Sequence, residues 1–525
     1  MKKVATSVIC GLAGLYGFSV SAESRPKLVV GIVVDQLRTD YVEYLQDLFS
    51  EGGFKRFIKD GAFIRDIDFK VPNPDAASAT AIIQTGTYPR HNGVPAAEIY
   101  NITEKTVSPV FLDNSYIGNF TTETYSPGAI RVNTIADEIA AEGENNSRIH
   151  TLAPDAERAI ILSGHAGNSA FWINDNTGKW STSTYYTSPP ASIQNSNYNT
   201  PLVNRLDTIR WQPLLQADYP GISSKTEKEG FRYNFSRSDR DVYKLFKSSP
   251  FVNREITDLA VNYLTELQLG KSGESTDMLG LAYTLAPYPA SLSSDPEFEL
   301  EDAYLRLDRD LQRLLSAIDS SIGLENALVY LTSTGYYTET HRPDVALRLP
   351  TGNFSVKRAL SLLNSYLSAK YGNDPYVSHY YSGNIFLNRN LIEEKGLDLN
   401  RISEDSRDFL VKMSGVSDAY TITDLMSPSV PQLEGHRLAS DPKTGGDIII
   451  EFNPGWTVTD DTKYPSEIQP QKYTVFESPA FFLGAGIKPQ IITTPVDAAA
   501  VAPTVARVLR IRSPNGAVAK PLNLK

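Results

Sequence analysis

Apolar positions along the chain alternate between short continuous runs and helically spaced stripes. Leu28–Val34 (LVVGIVV) is a continuous β-branched run, the pattern of a central parallel strand buried on both faces. Tyr41–Lys59 then places Leu45, Leu48, Phe54 and Phe57 at helical spacing, before a strand-like stretch at Phe63–Phe69 and a turn at Val71–Pro74. Asp75 is a good N-cap, and the small residues behind it predict a helix over Ala76–Gln84. Helices are also predicted over Asn133–Gly143, Asn253–Leu269, Leu300–Asp319, Phe354–Lys370 and Val496–Leu509. The helix at Leu300–Asp319 has the clearest stripe, formed by Tyr304, Leu307, Leu311, Leu314, Leu315 and Ile318. Strands are predicted at Ile160–Leu162, Asp277–Tyr283, Ala327–Leu331, Asp447–Phe452 and Ala480–Leu483. This alternation predicts an α/β fold, a doubly wound and mostly parallel sheet flanked by helices.

Two stretches interrupt the alternation. Residues 170–250 are rich in Ser, Thr, Asn, Tyr and Trp and have little periodicity. A second insertion covers about residues 340–445, and both are expected to form a cap on one domain spanning residues 23–525. In the first, Trp172, Trp180, Tyr185, Tyr186 and Trp211 are candidate contact residues for a partner, because aromatic side chains bring large contact area.

Composition narrows the setting. The 525 residues are 41% hydrophobic and 21% charged, an ordinary globular balance. A net charge of -11 argues against a nucleic-acid partner, which calls for a basic face. Residues 1–22 read as a signal peptide: Lys2 and Lys3, an apolar stretch Val4–Val20, and a small-residue cleavage site at Val20-Ser21-Ala22. The single cysteine, Cys10, lies inside that segment, so disulfides, thiol catalysis and Cys-ligated zinc are excluded from the mature chain. No later segment is apolar enough to span a bilayer, and the expected location is periplasmic or secreted.

Several blocks in order resemble the alkaline phosphatase superfamily. They are VVGIVVDQLRTDY with EGGFKRFIKDGAF (Val29–Phe63), ATAIIQTGTYPRHNGV (Ala79–Val94), ERAIILSGHAGNSAFW (Glu157–Trp172), LEDAYLRLDRDLQRLL (Leu300–Leu315), VYLTS (Val329–Ser333), and FFLGAGIKP with VDAAAVAPTVARVL (Phe481–Leu509). The chain is most similar to the phosphate-irrepressible alkaline phosphatases and the type I phosphodiesterase/nucleotide pyrophosphatases. The resemblance implies two-zinc phosphoryl transfer, in which one metal activates a Ser/Thr nucleophile and the other stabilises the leaving oxygen.

Carried over position by position, the motifs are depleted. Asp35, ending the first strand, matches the first metal ligand. The nucleophile position, nine residues before Thr85, is Ala76, with Asp75 one residue earlier. Ser78 and Thr80 stand further along the helix and point elsewhere. The D-x-x-x-H ligands fall on Pro287 and Ser291, those of T-A-D-H-G on Thr334 and Gly335, and the last His on Glu477. Arg158 matches an arginine of a K-D-R triplet whose lysine position is Ala156, and Ala97 stands for an expected asparagine. Asp35, Asp75, Ala76, Arg158, Pro287, Ser291, Thr334, Gly335 and Glu477 are therefore expected to form a vestigial pocket with no catalytic residue.

No other catalytic pattern replaces it. The six His form no H-x-H or H-E-x-x-H, and there is no G-x-S-x-G elbow or P-loop. Glu299, Glu301 and Asp302 read as the acidic first turn of a helix. The expectation is a pseudoenzyme without a cofactor, binding an envelope protein partner or a glycan or peptide ligand. The alternative is an active phosphatase or phosphodiesterase using zinc, or a single Mg²⁺ or Ca²⁺ held by Asp35 and Asp75.

Overall fold

In the computed structural model, described here for residues 25–215, 230–271, 273, 275–291, 296–338, 351–428, 430–441, 443–463, 465–469 and 472–525, a ten-stranded sheet runs through the main body. The signal-peptide expectation, residues 1–22, lies outside the described residues. In chain order the strands are β1 (Leu28–Asp35), β2 (Ala62–Ile64), β3 (Gly118–Asn119), β4 (Ile149–Ala153), β5 (Ser169–Ile173), β6 (Trp180–Ser183), β7 (Asp277–Thr284), β8 (Ala327–Ser333), β9 (Ala480–Gly484) and β10 (Gln490–Ile492). Across the sheet the order is β10-β2-β9-β8-β1-β7-β4-β5-β6-β3. The central run β8-β1-β7-β4-β5 is parallel, and β9 and β6 pair antiparallel against β8 and β5.

The continuous apolar run of β1 has its reason in this position. Leu28, Val30, Ile32 and Val34 enter one hydrophobic core, and Val29 and Val33 enter the core on the opposite face. Gly31 is the one position without a side chain because a Cβ there would stand 2.3 Å from the Tyr330 hydroxyl on the neighbouring strand. Six helices matter for the argument: α1 (Ala76–Thr85), α2 (Ile135–Glu142), α3 (Ala156–Ser163), α4 (Phe251–Glu266), α5 (Pro296–Ile322) and α6 (Val501–Leu509). The apolar faces of α4 and α5 fill the first core, and α1, α2, α3 and α6 fill the second.

Three expectations change. Ile160–Leu162 belongs to helix α3, not to a strand: Asp155 caps it by accepting from the Arg158 N–H, and β4 is completed before it. The described part of residues 170–250 is not mainly a surface loop. It supplies β5 and β6, and Trp172, Trp180, Trp211 and Tyr186 are core residues at 7% exposure or less, which removes them as contact residues. Strand Ile448–Phe452 lies in a separate four-stranded sheet with Val377–Tyr381, Asn384–Leu387 and Val416–Thr421. With a three-stranded sheet reaching Gln469, these elements enclose a third core around Phe354, Leu363, Ile402 and Ile450, so this lobe extends past residue 445.

Candidate active site

The site residues gather where β1 and β8 end and α1 begins. Asp35 closes β1 and is 8% exposed. Its Oδ1 accepts a hydrogen bond from Thr334 Oγ1 at 2.9 Å, and the Tyr336 hydroxyl lies near the same carboxylate. Burial raises the Asp35 pKa, while Arg158 and the two hydroxyls oppose that rise. Burial beside the Asp35 and Asp75 charges keeps the Tyr336 phenol protonated, far above its usual range.

Asp75 is the N-cap of α1. Its Oδ1 accepts from the Ser78 N–H and hydroxyl, each at 2.8 Å, and its Oδ2 accepts from the Ala97 N–H at 2.8 Å. Ser78 completes a capping box, and Thr80 donates back to the Ala76 carbonyl at 2.6 Å. Both hydroxyls near Ala76 are thus tied into the helix itself.

Arg158 is held from the next helix over and is 4% exposed. Its guanidinium grips Asp155 through Nε at 2.8 Å and also through Nη2, and donates Nη1 to the Tyr283 carbonyl at 2.8 Å. This grip keeps Asp155 below the usual carboxylate range although burial works against its charge. Glu157 is pushed up to about 8 by burial and by Asp155 beside it.

The remaining expected positions divide. Thr334 is buried on Asp35, and Gly335 follows it with φ +75, packed so that a Cβ would stand 2.0 Å from the Phe69 ring. Ser291 turns away to Glu299, donating its hydroxyl at 2.9 Å, and Pro287 has neither a carboxylate nor an imidazole to offer a metal. Glu477 is turned to Arg65 at 3.1 Å with its side chain 47% exposed. Tyr337 does not line the Asp35 carboxylate; with Phe476 and Tyr41 it boxes the Arg38 guanidinium, at 4.6, 3.8 and 4.9 Å. Sequence reasoning missed Asp155, whose signal was the Asp-x-x-Arg start of α3, and Lys472, which had no local signal.

A two-zinc set does not fit these residues. Thr334 and Gly335 offer no carboxylate or imidazole, the space beside Gly335 is filled by Phe69, and Ser291 and Glu477 face other partners. Among the described residues, no group of three or more His, Cys, Asp and Glu is placed to hold a metal ion.

The type I phosphodiesterase / nucleotide pyrophosphatase family model matches residues 29–479. Alkaline phosphatase PafA of Elizabethkingia meningoseptica is 27% identical over 539 residues, covering 98% of this chain and 97% of that protein. Alkaline phosphatase PhoV of Synechococcus elongatus is 26% identical over 528 residues, covering 95% and 92%. A crystal structure of wild-type alkaline phosphatase PafA superposes with a TM-score of 0.83 at 26% identity, covering 95% of this chain and 98% of that one.

These likenesses correct two expectations. The chain was expected not to be an enzyme, yet two relatives along nearly its whole length are named alkaline phosphatases. The expectation of no cofactor falls with it, because the chemistry of such phosphatases is metal-dependent. The fold expectation holds: the mostly parallel sheet flanked by helices is that of alkaline phosphatase PafA.

Proposed function

The chain belongs to the type I phosphodiesterase / nucleotide pyrophosphatase family, and on that premise we propose that it is a phosphoric ester hydrolase working at the Asp35 pocket. The observation that supports this most is the end-to-end likeness, in sequence and in fold, to proteins named alkaline phosphatases. With Ala76 where a nucleophilic hydroxyl would stand, water is the attacking group in this reading. Its oxygen bonds to phosphorus as the phosphorus–oxygen bond to the alcohol breaks; the departing alkoxide takes a proton from solvent, and the proton removed from the attacking water returns to solvent. Asp35 is the carboxylate placed to take the proton of water. Its burial makes it a stronger base than an exposed aspartate, and Thr334 and Tyr336 hold its orientation.

The same reading sets the work outside the cytoplasm. Lys2, Lys3 and the small-residue site Val20-Ser21-Ala22 support export, and no described helix is long and apolar enough to cross a membrane.

The test is release of phosphate from an aryl phosphate monoester, and of the alcohol from the matching diester, by purified protein supplemented in turn with Zn²⁺, Mg²⁺ and Ca²⁺. Turnover is expected, with a loss of roughly 10²-fold or more in Asp35→Asn. Absence of turnover by the wild-type protein under every supplement overturns the proposal.

A further inference from the structure

Lys472 stands beside the Tyr336 ring, on a strand pair tied directly to β1. Strand Tyr337–Thr338 pairs antiparallel with Lys472–Tyr473, placing Thr338 opposite Lys472. Gln36, the residue after Asp35, accepts at Oε1 from both the N–H and the hydroxyl of Thr338, each at 2.8 Å. Lys472 Nζ lies 5.3 Å from the centre of the Tyr336 ring, the ring whose hydroxyl meets Asp35. It also donates to the Asn73 carbonyl at 3.5 Å, two residues before the cap of α1. The ammonium therefore bridges the Asp35 wall and the α1 wall.

No carboxylate among the described residues neutralises its charge. Lys70, Lys370 and Lys463 each meet a carboxylate at 2.6 Å, whereas Lys472 forms no ion pair among the described residues. An ammonium has three donors, and this one spends one on a carbonyl at the outer limit of hydrogen-bond length. The aromatic face attracts the cation without supplying a counter-charge. The other cation of the pocket, Arg158, is committed to Asp155 and the Tyr283 carbonyl. Asp35, Asp75 and Asp155 make the surroundings acidic, so an entering phosphate needs a free positive charge.

We propose that Lys472 binds the phosphoryl group of the substrate at the mouth of this pocket and favours the dianionic phosphate of a monoester over the monoanionic phosphate of a diester. A point charge gains more from a dianion than from a monoanion at the same distance. The inference rests on the phosphoric ester hydrolase reading above.

The experiment is calorimetric titration of the full chain with inorganic phosphate, alongside monoester and diester kinetics, for wild type, Lys472→Gln and Lys472→Arg. The expected result is phosphate binding weakened about tenfold or more in K472Q and largely kept in K472R. The monoester KM should rise in K472Q while kcat stays within about threefold, and the diester KM should move less. A purely structural lysine would lower the melting temperature without separating the two esters. If K472Q binds phosphate like the wild type, the assignment of Lys472 is overturned while the hydrolase reading stands. If wild type neither binds phosphate nor turns over any ester, the pocket reading falls and Lys472 falls with it.

Discussion

Thr334 donates its hydroxyl to Asp35 Oδ1 at 2.9 Å and accepts the Gln36 N–H at 2.9 Å, so one buried side chain holds both the carboxylate and the backbone that follows it. In the resembling motif this position belongs to a metal-ligating aspartate. Here a neutral hydroxyl shares the site, so the neighbouring carboxylate meets a hydrogen-bond donor rather than a second negative charge.

Thr334→Ala should be costly. It leaves the buried Gln36 N–H and one Asp35 oxygen without their partner, a loss of about 1–3 kcal/mol. Removing a hydrogen bond to the charged form should also raise the Asp35 pKa further. Urea denaturation measures the first effect. The second appears as an upward shift of the acid limb of the hydrolysis profile. An unchanged midpoint and an unchanged limb would show that this hydroxyl does not organise the site.

Gly335→Ala tests why the next motif position cannot carry a side chain. Residue 335 has φ +75, and its Cβ would meet the Phe69 ring at 2.0 Å. Backbone strain of about 1 kcal/mol adds to overpacking of about 1–3 kcal/mol. Gly335→His, which restores the imidazole of the resembling motif, should be worse still. Thermal unfolding of the two variants should rank wild type above Ala above His. A histidine variant as stable as wild type would mean that Phe69 yields readily.

How much of this was legible beforehand depended on the range of the forces involved. The central strand was readable because both faces of β1 are buried, so nearly every residue of Leu28–Val34 is apolar. Helix α5 was readable from its long stripe, although it runs four residues further at its start and three at its end than the stripe alone implied. Helix α3 was misread because Ile160, Ile161 and Leu162 form a short apolar run that suits a strand equally well. Its cap, Asp155, was the deciding local signal. The depleted motif positions were legible from spacing. What replaced them was not: Tyr336 on Asp35, Phe69 beside Gly335 and Lys472 over Tyr336 are tertiary contacts with no periodic trace.

His165 should make stability sensitive to alkaline pH. Its Nδ1 meets Asp137 Oδ2 at 2.9 Å and its Nε2 meets the Ile130 carbonyl at 3.0 Å, so both ring nitrogens face acceptors. The Asp137 hydrogen bond raises the imidazole pKa above its ordinary 6.5, against partial burial. A group with a raised folded-state pKa contributes fully below its unfolded value and loses that contribution as pH rises through the folded one. Stability measured by urea titration should therefore decline as pH rises above about 6.5, and this component should vanish in His165→Gln. The side chain is more than a third exposed, so solvent screening keeps the effect small. A decline of the same size in H165Q would assign it to other groups.

His150 should do the opposite on the acid side, and more strongly. It is 7% exposed on β4, with Nδ1 2.8 Å from Ser169 Oγ and its ring edge-on to Tyr263 at 5.8 Å. Burial lowers its pKa from 6.5 to about 4, and the Arg148 charge adds to that while Asp277 opposes it. The imidazole is neutral in the fold, whereas the unfolded chain takes up a proton near pH 6.5. Folding stability is thus unaffected by this group above its unfolded pKa, falls as pH drops below it, and levels off below the folded value. The full loss is on the order of 3 kcal/mol across that window. His150→Asn lacks the titration and should flatten the acid slope between pH 6.5 and 4, at the expense of some packing against Tyr263. The measurement is the denaturation midpoint against pH for both proteins. Parallel curves through that window would place the acid sensitivity in the carboxylates instead.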